Sequence, residues 1–174
     1  MEGMVDSTLT YLRGETESEE PRQADLAAIL STLCDDAADR GASAAYAGPD
    51  RVPMLLRPVA VKRALANLVE NAVKHGGGVC VTLGEAAGTV TVRVEDDGPG
   101  IPEADLEAAF EPFHRLDASR DRGTGGTGLG LAITRQVVTA HGGTVALANR
   151  PGGGLMATVQ LPRTGTIRND GGLD

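Results

Sequence analysis

The sequence predicts an α+β fold in which one sheet of about five strands carries its helices on one face. Apolar residues recur at three- and four-residue steps in the long segments that we predict to be helices. Segments rich in Val and Thr alternate polar and apolar positions, and they occur in pairs that predict hairpins. Because strands occur in runs between the helices, a strictly alternating doubly wound sheet fits poorly.

The helices and strands follow in chain order. The first long helix is predicted at 24–40, where Leu26, Leu30 and Leu33 share one face and Gly41 ends the helix. Further helices are predicted at 59–75, 103–110 and 129–141. Two short strands are predicted within 42–57, and longer ones at 79–83, 89–95, 144–148 and 155–161.

Composition and charge exclude several classes of protein. Apolar residues make up 41% of the 174 residues, enough for a buried core. The formal net charge is −8 and the sequence contains no dense block of Lys or Arg, so no nucleic-acid partner is expected. No apolar stretch reaches the roughly 18 residues that a membrane span needs.

The helix predicted at 59–75 carries an unusual polar face. Asn67, Glu70, Asn71 and Lys74 fall within an arc of roughly 100° around the helix axis. Such a face is ordinarily a solvated surface, but asparagine is a poor helix former. An amide oxygen is a good neutral ligand for Mg²⁺, and a lysine one turn further on can meet a phosphate.

Two glycine-containing segments carry the remaining chemistry. In EDDGPGIP, Asp96 ends a strand and precedes Gly98 and Gly100, which is either a plain turn or a place where a ring lies against bare backbone. In GTGGTGLGLAI, the glycines lead into a helix start. That arrangement predicts an anion site at the helix N-terminus, although a flexible hinge has the same composition. It lacks the GK[ST] of a Walker A loop.

The order of these segments resembles the GHKL ATPase superfamily, and within it the sensor histidine kinases. NLVENAVKHG is similar to the N box of that family, EDDGPGIP to its G1 box, FEPFHR to its F box and GTGLGLAI to its G2 box. The resemblance covers about 24–162. It implies a two-layer α/β sandwich, the Bergerat fold, with a mixed sheet of about five strands, three main helices on one face and a mobile ATP lid.

The resemblance also implies roles for individual residues. Asn71 is expected to hold Mg²⁺ through its side-chain oxygen, Asn67 to lie near the metal and the phosphates, and Lys74 to meet phosphate oxygens. Asp96 is expected to accept a hydrogen bond from the adenine amino group. The remaining expected ATP contacts are His75, Gly98, Gly100, Ile101, Phe113, Arg115, Arg120, Thr127, Gly128, Leu129 and Gly130.

Some of these roles have alternatives. His75 either stacks on the nucleotide or is a surface histidine. The lid is expected at about 114–127, with Phe113 at its base. Arg115, Arg120 and Arg122 are alternatives for the lid arginine that contacts phosphate.

The residue at position 67 bears on the reaction. Relatives that hydrolyse ATP place a glutamate there to activate water, and an asparagine cannot act as a general base. This favours transfer of the γ-phosphoryl group to a protein nucleophile, although Glu70 lies close by. The three histidines of the sequence all fall in the nucleotide-binding part, so the acceptor histidine is expected on a dimerisation domain outside this chain.

The resemblance implies a domain organisation and a set of partners. We expect the end of a dimerisation helix and a linker in 1–20, the catalytic domain in 21–163 and a disordered tail in 164–174. Expected partners are the protein's own dimerisation domain and the receiver domain of a response regulator. The fragment is expected to be a monomer. The full-length protein is expected to be a homodimer anchored in the bacterial inner membrane, with this domain in the cytoplasm.

Two other functions remain open from the sequence. One is an anti-sigma-factor-type serine kinase and binding protein of the same superfamily, which also lacks an acceptor-histidine motif. The other is a nucleotide sensor without catalytic activity. The asparagine at 67 argues against the first, and the complete set of motifs argues against the second.

Overall fold

The computed structural model describes residues 17–114 and 128–163. The stretches predicted as a helix remnant at the N-terminus, as most of the lid and as the tail therefore lie mainly outside the described residues. Within the described part, no helix is both long enough and apolar enough to cross a lipid bilayer.

The main sheet has five strands, β2 (Ser43–Ala47), β4 (Gly78–Ala86), β5 (Thr89–Glu95), β6 (Thr144–Asn149) and β7 (Leu155–Pro162). Their order in the sheet is β2-β4-β5-β7-β6. β2 pairs with β4 in parallel, and the other neighbouring pairs are antiparallel. The predicted α+β class and the mixed five-stranded sheet are therefore confirmed.

Three α-helices pack on one face of this sheet and form the core with it. They are α1 (Leu26–Asp39), α2 (Pro58–Gly76) and α3 (Gly130–Ala140). Asp25 begins α1 as an N-cap that accepts hydrogen bonds from two backbone N–H groups, and Gly77 ends α2 in a left-handed conformation. The buried stripe of each helix meets the alternate strand residues that point inward, such as Val81, Val92 and Val159.

Two parts of the fold differ from the sequence prediction. The sequence predicts no strand at β1 (Arg22–Asp25), which pairs with β3 (Pro53–Leu56) in a separate two-stranded sheet. The four residues of β1 include no buried position, so this strand offers too little alternation to be recognised. The helix predicted at 103–110 consists instead of two short 3₁₀ turns, Glu103–Asp105 and Ala108–Phe110.

A buried polar cluster joins the first turn of α2 to the last turn of α3. The backbone N–H of Arg57 donates to Nε2 of His141 at 3.0 Å, and Nδ1 of His141 lies 2.7 Å from the carbonyl oxygen of Val137. Both carboxylate oxygens of Glu19 accept from the α2 backbone, from Val59 N and Ala60 N at 2.9 Å. The start of α2 is therefore fixed from two directions.

This geometry predicts that stability falls as His141 is protonated. Burial lowers the pKa of His141 below the usual 6.5, and the nearby Arg57 lowers it further. The unfolded chain binds the proton first as pH falls from 6.5, so stability is lost from there through the lowered folded-state pKa, by at most about 1.4 kcal/mol per pH unit. Urea unfolding followed by circular dichroism between pH 7.5 and 5 measures this slope.

His141→Gln keeps an acceptor for the Arg57 N–H but cannot titrate, so this variant is expected to have a flatter stability profile over that pH range. His75→Gln, which removes an exposed histidine, serves as the control and is expected to keep the wild-type profile. Equal slopes in wild type and His141→Gln would contradict the assignment.

Candidate functional site

A cavity of about 660 Å³ opens between α2, the loop after β5 and the start of α3. Inward-facing residues of the sheet, among them Val94, Leu147 and Ala157, give part of its wall an apolar surface. Nine predicted site residues also line it: Asn67, Asn71, Lys74, His75, Asp96, Gly100, Ile101, Gly128 and Gly130. Three sequence segments that are far apart in the chain therefore meet around one space.

The polar face of α2 forms one side of the cavity. Asn67 and Asn71 are half-buried there, whereas Lys74 and His75 are exposed at the rim. The Nδ2 group of Asn67 donates to the carbonyl oxygen of Gly130 at 3.1 Å, which ties α2 to the first turn of α3. A fully solvated helix face is therefore the wrong description of these residues.

Asp96 stands at the end of β5 with only 7% of its surface exposed. Its Oδ1 atom accepts hydrogen bonds from Gly98 N at 2.9 Å and from Leu155 N at 3.1 Å. A Cβ atom at position 98 would lie 2.7 Å from the carbonyl oxygen of His75, so only glycine fits this turn. The carboxylate is therefore held in one orientation by main-chain donors at the cavity wall.

Phe113 and Gly128, which flank the predicted lid in the sequence, are in contact with each other. The Phe113 N–H donates to the carbonyl oxygen of Gly128 at 2.9 Å. Gly128 has φ +74°, and a Cβ there would lie 2.8 Å from Cα of Phe113. Phe113 itself has φ 63°, which is uncommon for a bulky residue. Its side chain is exposed and is not part of the cavity wall.

Several other predicted site residues are not in the wall. Gly98 acts behind it through Asp96, and Leu129 is buried as the N-cap residue of α3. Arg115, Arg120 and Thr127 lie outside the described residues.

The sequence prediction missed Asn149, the last residue of β6, and Arg150, the first residue of the turn that leads to β7. Asn149 Oδ1 accepts from Ile101 N at 2.9 Å, and its Nδ2 donates to Ile101 O at 2.6 Å. Arg150 donates through Nη1 to Asp96 O at 2.7 Å and to Asp97 Oδ1 at 2.8 Å. The hydrogen bond to Asp97 raises the pKa of Arg150. No local motif marks these contacts, since they join positions about fifty residues apart.

Two further wall residues were not predicted to contact the ligand. His114 lines the cavity, and its buried Nε2 atom has no hydrogen-bond partner among the described residues. Glu70 is exposed on α2 and lines the cavity beside Asn71. Although the side chain at position 67 is an amide, Glu70 still places a carboxylate in the cavity wall.

Comparisons with known proteins agree with this geometry. The sensor histidine kinase GtrS of Pseudomonas aeruginosa is 46% identical over 109 residues, which are 63% of this chain and 22% of that protein. The mycobacterial sensor histidine kinase MprB superposes with a TM-score of 0.72 at 25% identity, covering 84% of this chain and 99% of that one. Full-length ShkA in complex with AMPPNP superposes with a TM-score of 0.70 at 26% identity, covering 85% of this chain and 32% of that one.

The chain spans 21% to 27% of the length of curated relatives such as these sensor histidine kinases. The family model described as histidine kinase-, DNA gyrase B- and HSP90-like ATPase matches residues 57–165, which is more than half of the sequence. The chain therefore belongs to the family of histidine kinase-, DNA gyrase B- and HSP90-like ATPases.

Proposed function

We propose that this chain is the catalytic domain of a sensor histidine kinase, which binds Mg·ATP and transfers the γ-phosphoryl group to a histidine on a dimerisation domain. The observation that carries the proposal is the convergence of Asn71, Asp96 and Gly128 on one cavity. The family match, the sensor histidine kinase relatives and the AMPPNP complex of the similar protein ShkA support it.

The two ends of the cavity suit the two ends of ATP. Near β5, the Asp96 carboxylate is an acceptor for the adenine amino group beside an apolar wall that accepts the ring. Near α3, Gly128 and Gly130 flank the helix start. Its N-cap residue, Leu129, makes no side-chain cap bond, so the N–H groups of the first turn remain available for phosphate oxygens. Lys74 adds positive charge at the rim.

The residues present fit a magnesium ion. Mg²⁺ in such sites takes one or two protein oxygens together with substrate phosphates and water, and the Asn71 amide oxygen at the cavity wall is a suitable donor. The ion, when bound, would neutralise charge that develops on the phosphoryl oxygens. Asn67, whose Nδ2 is bound to Gly130 O, would keep α2 and α3 at a fixed separation around the phosphates.

The proposed reaction breaks the bond between the γ-phosphorus and the bridging oxygen of ATP, forms a phosphorus–nitrogen bond to the acceptor histidine and releases ADP. No strong base is required of this domain, because an imidazole nitrogen attacks through its lone pair. The domain contributes positioning and charge neutralisation instead, through Lys74, the first turn of α3 and an arginine of the lid such as Arg115 or Arg120. His75 and His114 would contact the nucleotide from the rim.

The partners and setting of the whole protein belong to the same proposal. We assign 1–20 to the end of a dimerisation helix and its linker, 21–163 to the catalytic domain and 164–174 to a tail. The full-length protein would be a homodimer that phosphorylates itself and passes the phosphoryl group to a response regulator. Its anchor would be the bacterial inner membrane, with this domain on the cytoplasmic side. The anti-sigma-factor alternative is not favoured, because the relatives found are sensor histidine kinases.

The proposed function predicts that this chain does not contain the acceptor histidine. With ATP labelled in the γ-position and Mg²⁺, the chain alone is expected to retain no label, because His141 is buried with both ring nitrogens engaged and His75 and His114 belong to the donor site. Label is expected on an added fragment that carries the phosphoacceptor helices of a close homologue. Stable labelling of this chain alone would contradict the assignment, and so would rapid release of inorganic phosphate with no acceptor labelled.

The proposed function also predicts that Asn71 is needed for the effect of Mg²⁺. Asn71→Ala is expected to lower phosphoryl transfer at least about a hundredfold, since charge neutralisation supplies most of the catalysis in such reactions. Nucleotide affinity measured in EDTA is expected to be nearly unchanged, and the gain in affinity on adding Mg²⁺ is expected to disappear. Gln160→Ala, which removes an exposed amide on the outer face of β7, is the matched control. A normal Mg²⁺ response in Asn71→Ala would remove the metal role from this residue.

A further inference from the structure

Asn149 at the end of β6 and Arg150 at the start of the following turn hold both ends of the loop that contains Asp96. At the first end, Arg150 donates to Asp96 O at 2.7 Å and to Asp97 Oδ1 at 2.8 Å, and its Nε lies 3.3 Å from Glu95 Oε1. At the other end, Asn149 makes two hydrogen bonds to the backbone of Ile101, one in each direction. Two consecutive residues therefore fix the whole segment between the end of β5 and the first 3₁₀ turn.

We propose that Asn149 and Arg150 are positioning residues that set the preference of this site for adenine over guanine, by holding the Asp96 carboxylate against the base. The inference rests on the proposed function, in which Asp96 accepts a hydrogen bond from the adenine amino group. Neither residue lines the cavity. Both act through the loop, and the loop presents the carboxylate.

Two hydrogen bonds to Leu155 also make the position of Asp96 depend on this turn. Its Oδ1 is bound to Leu155 N, and its own N–H donates to Leu155 O at 3.0 Å. Leu155 follows the turn directly, and the turn is closed by Arg150 N donating to Gly154 O at 2.9 Å. Movement of Arg150 therefore displaces the backbone on both sides of the carboxylate, at Asp96 O and at Leu155 N.

Base preference is sensitive to such a displacement. Hydrogen bonds weaken steeply when the donor–acceptor distance or angle departs from the optimum. Guanine carries a carbonyl oxygen where adenine carries its amino group, so a fixed carboxylate attracts one base and repels the other. A carboxylate that is free to move attracts adenine less strongly and also repels guanine less strongly. The two affinities then approach each other, whereas a general loss of stability lowers both together.

The test compares Arg150→Met with Arg163→Met. Both arginines have 30% side-chain exposure and make a 2.7–2.8 Å contact to a carboxylate, but Arg163 bonds to Glu85, at the far end of β4. The dissociation constants of Mg·ATP and Mg·GTP are measured by calorimetry, with thermal unfolding recorded in the absence of nucleotide. In Arg150→Met, the dissociation constant for Mg·GTP divided by that for Mg·ATP is expected to fall about tenfold. A tenfold change corresponds to the loss of about one hydrogen bond to a charged group. Arg163→Met is expected to keep the wild-type ratio.

Two further variants keep the test decisive if Arg150→Met folds poorly. Arg150→Lys retains the charge but cannot present two forked donors, so it is expected to lose most of the preference. Asn149→Ala frees the Ile101 end and is expected to lower the ratio as well. An unchanged ratio in folded Arg150→Lys and Asn149→Ala overturns the inference, as does an equal loss of affinity for both nucleotides.

The outcomes also separate this inference from the proposed function. If the wild-type chain binds neither nucleotide, the proposed function is overturned and the inference with it. If the wild-type chain prefers ATP and the variants keep that preference, only the positioning role is overturned. A tenfold fall in the ratio, with Arg163→Met unchanged, supports the role of both residues.

Discussion

The site depends on the hydrogen bonds that hold the buried carboxylate of Asp96. A charged group with 7% exposure is costly unless its oxygens are hydrogen-bonded, and Oδ1 of Asp96 accepts from two backbone N–H groups. One donor, Gly98, belongs to the loop after β5, and the other, Leu155, begins β7. The same hydrogen bonds that make the buried charge tolerable also join the strand end, the loop and the neighbouring strand. The cavity wall is thus built around this one side chain.

The helical side of the cavity is organised by a few polar contacts in an apolar interface. Thr134 of α3 has no exposed surface, and its hydroxyl lies 3.0 Å from Ala64 O of α2 and 2.9 Å from Gly130 O. Asn67 donates to that same Gly130 oxygen. Ridges of small and branched side chains allow sliding between packed helices, whereas directional hydrogen bonds specify one register. The amide of Asn71, one turn further along α2, is fixed relative to the start of α3 by that register.

The fold was predictable where sequence periodicity and burial coincide. The three α-helices and the strands of both hairpins follow from residues such as Leu30, Val92 and Val159, which are buried at the spacing that the pattern predicts. The strand β1 was missed, and with it the pairing of β1 with β3, because a strand of four residues without a buried position carries little pattern. Asn67, Asn71 and Asp96 were identifiable because their motifs are local. Asn149 and Arg150 were not, because their effect depends on contacts with residues about fifty positions away, which only the folded chain brings together.

The two helices of the site are also fixed at the ends that lie away from the cavity. Arg57 meets His141, Ala64 meets Thr134 and Asn67 meets Gly130, so α2 and α3 run antiparallel along their shared length. Glu19 binds the first turn of α2 through both carboxylate oxygens. Glu19 thus contacts the same helix that presents Asn67 and Asn71, and the backbone hydrogen bonds of α2 run without a break from its first turn to both asparagines.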